Sequence, residues 1–306
     1  MSSQTVGFVG LGIMGEPMAK NVLDAGYPVV AHNRSDGPVD RLADAGATPA
    51  SSPAEVARES DVVITVLPDT PVVESVVLGE GEHDGADDPV VDGVDEGSTV
   101  VDMSTISPVA TERIAEELEA AGADFLDAPI SGGEEGAVEA TLSIMVGGDE
   151  STFAAAEALF EVMGETVTHC GPTGAGQVTK AANQIIVGST LQAVSEALLF
   201  AKRAGADLEA VLDAVSGGAA GCWALDARAP RVIEGNFDPG FFAAYQYKDL
   251  RIATRAGEEY GAPMPATSVV HEQYKAMETM GYGRDDHSAV IKVLEAMAGE
   301  EARVEE

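Results

Sequence analysis

One lysine stands where solubility does not call for it. The chain has six, at positions 20, 180, 202, 248, 275 and 292. Lys180 sits among Val178, Ala181, Ala182, Ile185 and Ile186, and Asn183 and Gln184 follow it at i+3 and i+4, on one helix face. An amine held among apolar neighbours gives up its proton more readily than in water, so it can serve as a general acid near neutrality. The bland alternative is a lysine that lies along the helix and keeps its charge in solvent.

A second constellation lies near the N-terminus. Gly10-Leu11-Gly12-Ile13-Met14-Gly15 follows the apolar run 5–9 and opens the helical stretch 16–25. In this pattern the first glycine makes a tight turn, the second admits a pyrophosphate to the backbone, and the third lets helix pack on strand. The helix start supplies N–H groups and partial positive charge. At the end of the next strand, an acid would take the ribose hydroxyls of NAD. The chain has Asn33-Arg34-Ser35 there instead. Arginine grips a phosphate by two parallel bonds and serine adds a third, so the pattern favours NADP, with NAD as the alternative. Leu67-Pro68 and Ser104-Thr105 end two further strands, and Ser131-Gly132-Gly133 follows Asp127-Ala128-Pro129. A serine beside two glycine N–H groups makes a short pocket suited to a small carboxylate substrate.

These residues need a scaffold that brings strand ends together. Apolar strands are expected at 5–9, 28–33, 61–67, 98–102, 123–127 and 142–146, with helices at 38–45, 53–59, 108–121 and 151–163 between them. Strands without polar alternation, separated by helices, imply an α/β fold: a doubly wound, Rossmann-type parallel sheet covered on both faces. The Gly- and acid-rich stretch 79–97 reads as a surface loop. After residue 170 only helical patterns remain, at 175–204, 207–215, 222–234, 247–260, 264–279 and 286–300. The expected organisation is a dinucleotide-binding domain over 1–169 and an all-helical substrate and dimerisation domain over 170–306. Residues 170–204 form the long interdomain helix, apolar around its circumference and buried on most sides.

Composition removes whole classes of function. With 306 residues and 45% of them hydrophobic, the chain can build two ordinary cores. It carries 52 acidic and 17 basic residues, a net charge of −35. Such a surface repels phosphate backbones and anionic membranes, so no nucleic-acid or membrane partner is expected. The acids are spread among periodic apolar segments, which resembles the acidic skin of halophile proteins, where high salt screens the self-repulsion. Two cysteines, 170 and 222, make no disulfide framework, and five scattered histidines have no metal-ligand spacing, so no metal is expected. There is no run of 18 apolar residues and no basic leader, so the expected compartment is the cytoplasm.

Taken in order, GFVGLGIMGEPMA, DMSTISP, DAPISGG, GAGQVTKAANQ and YKDL resemble the β-hydroxyacid dehydrogenase family over about residues 5–295. SGGAAGCWALDARAP, NFDPGF and DDHSA are similar to the members that reduce 2-hydroxy-3-oxopropionate (tartronate semialdehyde). The resemblance implies that Lys180 is the catalytic lysine and that Ser131, Gly132 and Gly133 hold the substrate carboxylate. It places Asn183 and Gln184 beside the reacting carbon, Thr105 and Lys248 against the cofactor, and Leu67 and Pro68 beneath its adenosine side. Gln184 departs from the family's second asparagine by one methylene. The implied assembly is a homodimer or homotetramer.

Three readings follow. The first is an NADPH-linked reductase of a small 3-oxo acid, with hydride added to the aldehyde carbon and the proton supplied by Lys180. The second is an NAD-linked 3-hydroxyisobutyrate oxidation. The third is a nucleotide-binding module without catalysis, against which Lys180 speaks.

Overall fold

In a computed structural model the chain is described over residues 4–81 and 87–304. It divides into two units, Met1–Lys180 and Ala181–Glu306. The division therefore falls inside the long helix, at 180/181 rather than at the expected 169/170. The helix itself runs Ala175–Arg203 rather than 170–204. The preceding residues belong to a strand instead, and the turn through Gly171 (φ 135°) and Gly174 (φ 88°) separates strand from helix.

The first unit is a nine-stranded sheet. Its strands are β1 (Val6–Val9), β2 (Val29–His32), β3 (Thr48–Pro49), β4 (Val62–Thr65), β5 (Thr99–Asp102), β6 (Asp124–Asp127), β7 (Ile130–Ser131), β8 (Leu142–Gly148) and β9 (Gly164–Gly171). The helices are α1 (Gly15–Asp24), α2 (Asp36–Asp44), α3 (Pro53–Arg58), α4 (Thr70–Leu78), α5 (Pro108–Ala120), α6 (Gly133–Glu139) and α7 (Glu150–Phe160). Strands β3-β2-β1-β4-β5-β6 run parallel in that order, which is the doubly wound arrangement. At one edge β8 pairs antiparallel with β6 and β7 and parallel with β9. Successive side chains along each strand alternate between two cores. Val6, Phe8, Ile64 and Leu126 pack with Met18 and Phe160 on one face. Val9, Val63, Val100 and Phe125 pack with Ile114 and Leu118 on the other. Within the expected loop 79–97, Val90–Asp92 forms a 3-10 turn, and 82–86 lie outside the described residues.

Register is what turns this sheet into a site. Val9 pairs with both His32 and Thr65, Thr65 with Asp102, and Asp102 with Asp127. The carboxyl ends of five parallel strands thus form one row. Strand order reverses beside β1, where open α/β sheets bind their ligands.

The second unit contains the rest of α8 (Ala175–Arg203) with α9 (Leu208–Ser216), α10 (Ala229–Ile233), α11 (Ala243–Glu259), α12 (Pro265–Thr279) and α13 (Ile291–Ala298). Its cores gather Leu191, Leu250, Tyr274, Met277 and Val290, and separately Leu198, Leu212, Ile233 and Ile291. The expected helix 222–234 is broken into a π-helical turn, Ala224–Arg228, followed by α10. Pro230 is the cause: it lacks an N–H and crowds the carbonyl one turn back. Asp286 ties this unit's loops together. One oxygen accepts from the N–H groups of Gly240 (2.9 Å) and Phe241 (3.3 Å). The other accepts from the Ser288 hydroxyl (2.6 Å) and lies 3.2 Å from Nε of Arg228.

Helix α8 is not buried on most sides. Seven of its buried residues, Gln177, Lys180, Gln184, Gly188, Leu191, Ser195 and Leu198, recur at steps of three and four, and Gly176, Gln192 and Ala201 beside them complete one stripe. On the outward side Ile186 is 63% and Phe200 75% exposed. By length and mean hydropathy α8 would pass for a membrane span. Its buried stripe is nevertheless the polar one, and its amides are bonded to protein groups, as in the core helix of a folded domain.

Candidate active site

The glycine turn joins β1 to α1. A Cβ on Gly10 would lie 2.4 Å from the Val66 carbonyl oxygen, and one on Gly15 would lie 2.1 Å from that of Gly10. These two glycines are demanded by the fold itself. Gly12 is different: a Cβ there would meet nothing within 4 Å. Nothing in the protein needs a glycine at 12, and the bare backbone suits the close approach of a pyrophosphate. Leu11 is buried, Met14 half-buried and Ile13 exposed at the lip. Glu16 would place a negative charge in the first turn of α1. Arg41 binds both its oxygens at 2.6 and 2.7 Å, and these bonds hold the Glu16 carboxyl below its usual range.

The other strand ends carry the remaining first-unit residues. Asn33 is spent on the protein: its Oδ1 accepts from the Leu11 N–H (2.9 Å), and its Nδ2 donates to the Ser35 carbonyl (3.0 Å) and hydroxyl (2.9 Å). It braces the glycine turn against the end of β2, and Arg34 and Ser35 are exposed just beyond it. Leu67 and Pro68 follow β4, where the Leu67 N–H donates to the Ser104 hydroxyl at 2.8 Å. Thr105 is half-buried just past β5. Ser131 ends β7, and Gly132 (φ 145°) and Gly133 (φ 66°) turn the chain into α6. The expected Gly-rich anion loop is thus a strand-to-helix turn.

Lys180 is 5% exposed, three residues beyond Gln177 on α8. The start of that helix is fastened to the strand-end row. The Asp127 carboxylate accepts from the Gly174 N–H at 2.7 Å and the Gln177 N–H at 2.8 Å. The Gln177 side chain donates to the Ser104 carbonyl (2.8 Å) and accepts from the Ile106 N–H (3.0 Å). Burial pushes the Asp127 carboxyl up to about 6, and neighbouring Asp102 adds to this, while the two N–H bonds work the other way. Asp102 in turn accepts from the Thr65 hydroxyl at 2.7 Å. None of Asp127, Gln177, Asp102 and Thr65 was singled out from sequence. The available signal was a carboxylate ending each of two apolar strands, where an unpartnered charge is costly.

In the second unit, Gln184 is buried and fully engaged. It accepts from Asn183 Nδ2 (2.7 Å) and donates to Asp249 (2.6 Å) and Gln246 (3.3 Å). Asp249 lies 3.2 Å from the Lys248 amine. The methylene that distinguishes Gln184 from asparagine therefore serves reach: it links Asn183 to the Asp249–Lys248 pair. Asn183 beside it is half-buried.

The comparisons agree with this geometry. Residues 5–171 match the NAD binding domain of 6-phosphogluconate dehydrogenase. Residues 174–294 match the NAD-binding domain of NADP-dependent 3-hydroxyisobutyrate dehydrogenase. The chain is 44% identical over 294 residues to 2-hydroxy-3-oxopropionate reductase of Escherichia coli (strain K12), covering 96% of this chain and 98% of that one. Among solved structures it is similar to Mycobacterium tuberculosis 3-hydroxyisobutyrate dehydrogenase with L-serine, with a TM-score of 0.87, 34% identity and coverage of 96% and 99%. It is also similar to Psf3 in complex with NADP+ and 2-OPP, with a TM-score of 0.81, 26% identity and coverage of 94% and 99%. A dinucleotide-binding turn, an aligned row of strand ends and a buried lysine beside it are thus joined by whole-chain similarity: the chain belongs to the β-hydroxyacid dehydrogenase family and is an NAD(P)-dependent oxidoreductase.

Proposed function

We infer that the protein reduces a small 3-oxo acid of the 2-hydroxy-3-oxopropionate type to the 3-hydroxy acid, with NADPH. The observation that carries this reading is Lys180, buried on a helix whose first turn is bonded to the strand ends. When bound, the reduced nicotinamide supplies hydride. Ser131 and the N–H groups of Gly132 and Gly133 hold the substrate carboxylate. Lys180 stabilises the developing alkoxide and gives it a proton. Similarity at 44% to a reductase of that substrate supports the substrate class. Arg34, with no carboxylate at 33–35, supports NADP over NAD.

The test is a kinetic panel of both cofactors against several 3-oxo and 3-hydroxy acids, run on wild type, Lys180→Ala and Lys180→Arg. Lys180→Ala should lose at least about 10²-fold in kcat. Lys180→Arg should not recover it, because arginine holds its proton at neutral pH. A folded Lys180→Ala enzyme within about threefold of wild type would remove the lysine from the mechanism. Preference for NAD and 3-hydroxyisobutyrate would favour the second reading, which rests on similarity to the 3-hydroxyisobutyrate dehydrogenase structure.

The reading includes self-association. Ile186 and Phe200 form an outward apolar side of α8 in an otherwise strongly acidic chain, and a second copy is the occupant we assign to it. Light scattering in high salt should give at least a dimer mass, and a monomer mass would overturn the assignment.

A further inference from the structure

Asp127 takes no part in the chemistry above, yet its surroundings are built around it. It ends β6 with 0% exposure, and each of its oxygens takes one N–H from the start of α8. Three elements meet at this point more closely than side chains would permit. A Cβ on Gly147 of β8 would lie 2.4 Å from Asp127 Oδ1. One on Gly176 of α8 would lie 2.3 Å from the Met145 carbonyl oxygen and 2.6 Å from that of Asp127. These two nearest obstacles to Gly176 are backbone and cannot swing away, and the Asp127 Oδ2 itself is third at 2.8 Å.

Gln177 supplies an independent anchor. Its amide uses both ends on the segment after β5, donating to the Ser104 carbonyl and accepting from the Ile106 N–H. The first turn of α8 and Gly174 just before it are therefore held by four hydrogen bonds, two to the end of β6 and two to the chain just beyond β5. Lys180 lies one turn further, roughly 4.5 Å along the axis at 1.5 Å per residue. Asp102 on β5 is the charged neighbour of Asp127, and it anchors Thr65 rather than the helix.

We propose that Asp127 and Gln177 are positioning residues, a clamp that fixes the start of α8 so that the Lys180 amine meets the substrate oxygen in reacting geometry. The inference rests on the proton-donor role proposed for Lys180. Reacting groups misplaced by about 1 Å can lose on the order of 10²-fold in rate, so loosening four bonds one turn away is a direct route to lower kcat. The glycine turn and the end of β2 are not bonded to the clamp, but Thr105 lies between the Ser104 and Ile106 groups that Gln177 holds, so NADPH affinity is expected to stay put in Asp127→Asn and to move only slightly in Gln177→Ala.

The experiment is a double-mutant cycle. Asp127→Asn and Gln177→Ala are made in wild type and in Lys180→Ala, with kcat, KM and NADPH Kd measured for each and folding checked by circular dichroism. Each clamp variant should lower kcat about tenfold or more, with NADPH Kd unchanged in Asp127→Asn and changed by less than about threefold in Gln177→Ala. In the Lys180→Ala background the same substitutions should change kcat by less than about twofold, because the group they aim is gone. An equal loss in both backgrounds, or no loss in wild type, overturns the clamp and leaves the lysine's role intact. Near-wild-type turnover by Lys180→Ala alone overturns the donor reading first, and the clamp falls with it. If Asp127→Asn does not fold, Gln177→Ala carries the same cycle.

Discussion

Asp127 ends a strand in the first unit, and Asp286 precedes a 3-10 turn, His287–Val290, in the second. Both are fully buried, and both gather N–H groups from chain that would otherwise be left without a cap. Their partners differ. Asp127 meets only neutral donors, with Asp102 as a like charge alongside, and burial leaves its carboxyl raised to about 6. Burial also pushes Asp286 upward. Charge on His287, the Ser288 hydroxyl, the Arg228 guanidinium and the Gly240 N–H together outweigh it, and the carboxyl lies below its ordinary range. Two carboxylates doing the same structural work thus ionise in opposite senses. The deciding quantity is the charge of the neighbours, not the depth of burial.

The largest effect separating them should come from truncation. Asp286→Ala strands Arg228, whose side chain is only 15% exposed, and the loss of a buried ion-pair partner is expected to cost about 3–5 kcal/mol in urea unfolding. A loss below about 1 kcal/mol would mean the pair is not what holds these loops.

Next come opposite pH slopes. The folded protein holds the Asp127 proton more tightly than the unfolded chain does. That contribution is complete below about 3.8 and is lost as pH rises through about 6, roughly 3 kcal/mol in all. The stability difference between wild type and Asp127→Asn should therefore shrink between about pH 4 and 7. Asp286 runs the other way: its contribution is complete above the ordinary carboxyl range and is lost as pH falls through the depressed folded value. The difference between wild type and Asp286→Asn should collapse only at the acid end. Unfolding curves for the three proteins across pH test both signs, and parallel slopes would erase the contrast.

Each carboxylate also has a glycine beside it, and the obstacles differ in kind. At Gly176 an added methyl meets backbone oxygens, whereas at Gly240 it meets the end of the Arg228 side chain at 2.6 Å, which can move. Gly176→Ala should cost about 1–3 kcal/mol and Gly240→Ala clearly less. The reverse order in thermal melting would show that the guanidinium is the more rigid neighbour.

The smallest effect is an invariance. With a net charge of −35 the wild-type melting temperature should climb with KCl, as the Debye length falls from about 10 Å at 0.1 M to 3 Å at 1 M. The decrements caused by Asp127→Asn and Asp286→Asn should not change with salt, because both groups are buried. A decrement that shrinks in KCl would place that carboxylate within reach of solvent.

What could be read from sequence was local. The glycine turn declares itself because Gly10 and Gly15 answer to atoms close along the chain or on the adjoining strand. The burial of Lys180 is legible in its scarcity and apolar company. Asp127 was passed over because its partners, Gly174 and Gln177, lie 47 and 50 residues away. The Gln184 bond to Asp249 is equally hidden, because that residue is 65 positions further on. Missing elements have similar causes. β9 is largely polar and lies at the sheet's edge, and β3 and β7 are two residues each. Helix α4 was missed although Asp69 caps it and Pro71 stands in its first turn, because its run of valines shows no clear face.

The Asn33 brace has a bearing on redesign. On the proposed NADP reading, conversion to NAD would ordinarily begin by placing an acid at the end of the second strand. At position 33 an aspartate would keep the bond from Leu11, but its second oxygen would face the Ser35 carbonyl, acceptor against acceptor, where the amide now donates, even if the Ser35 hydroxyl turned to donate to it. The turn that binds the pyrophosphate would loosen along with the change in preference. On the proposed reading, engineering of cofactor choice belongs at Arg34, with Asn33 left as the fixed hinge pin of the turn.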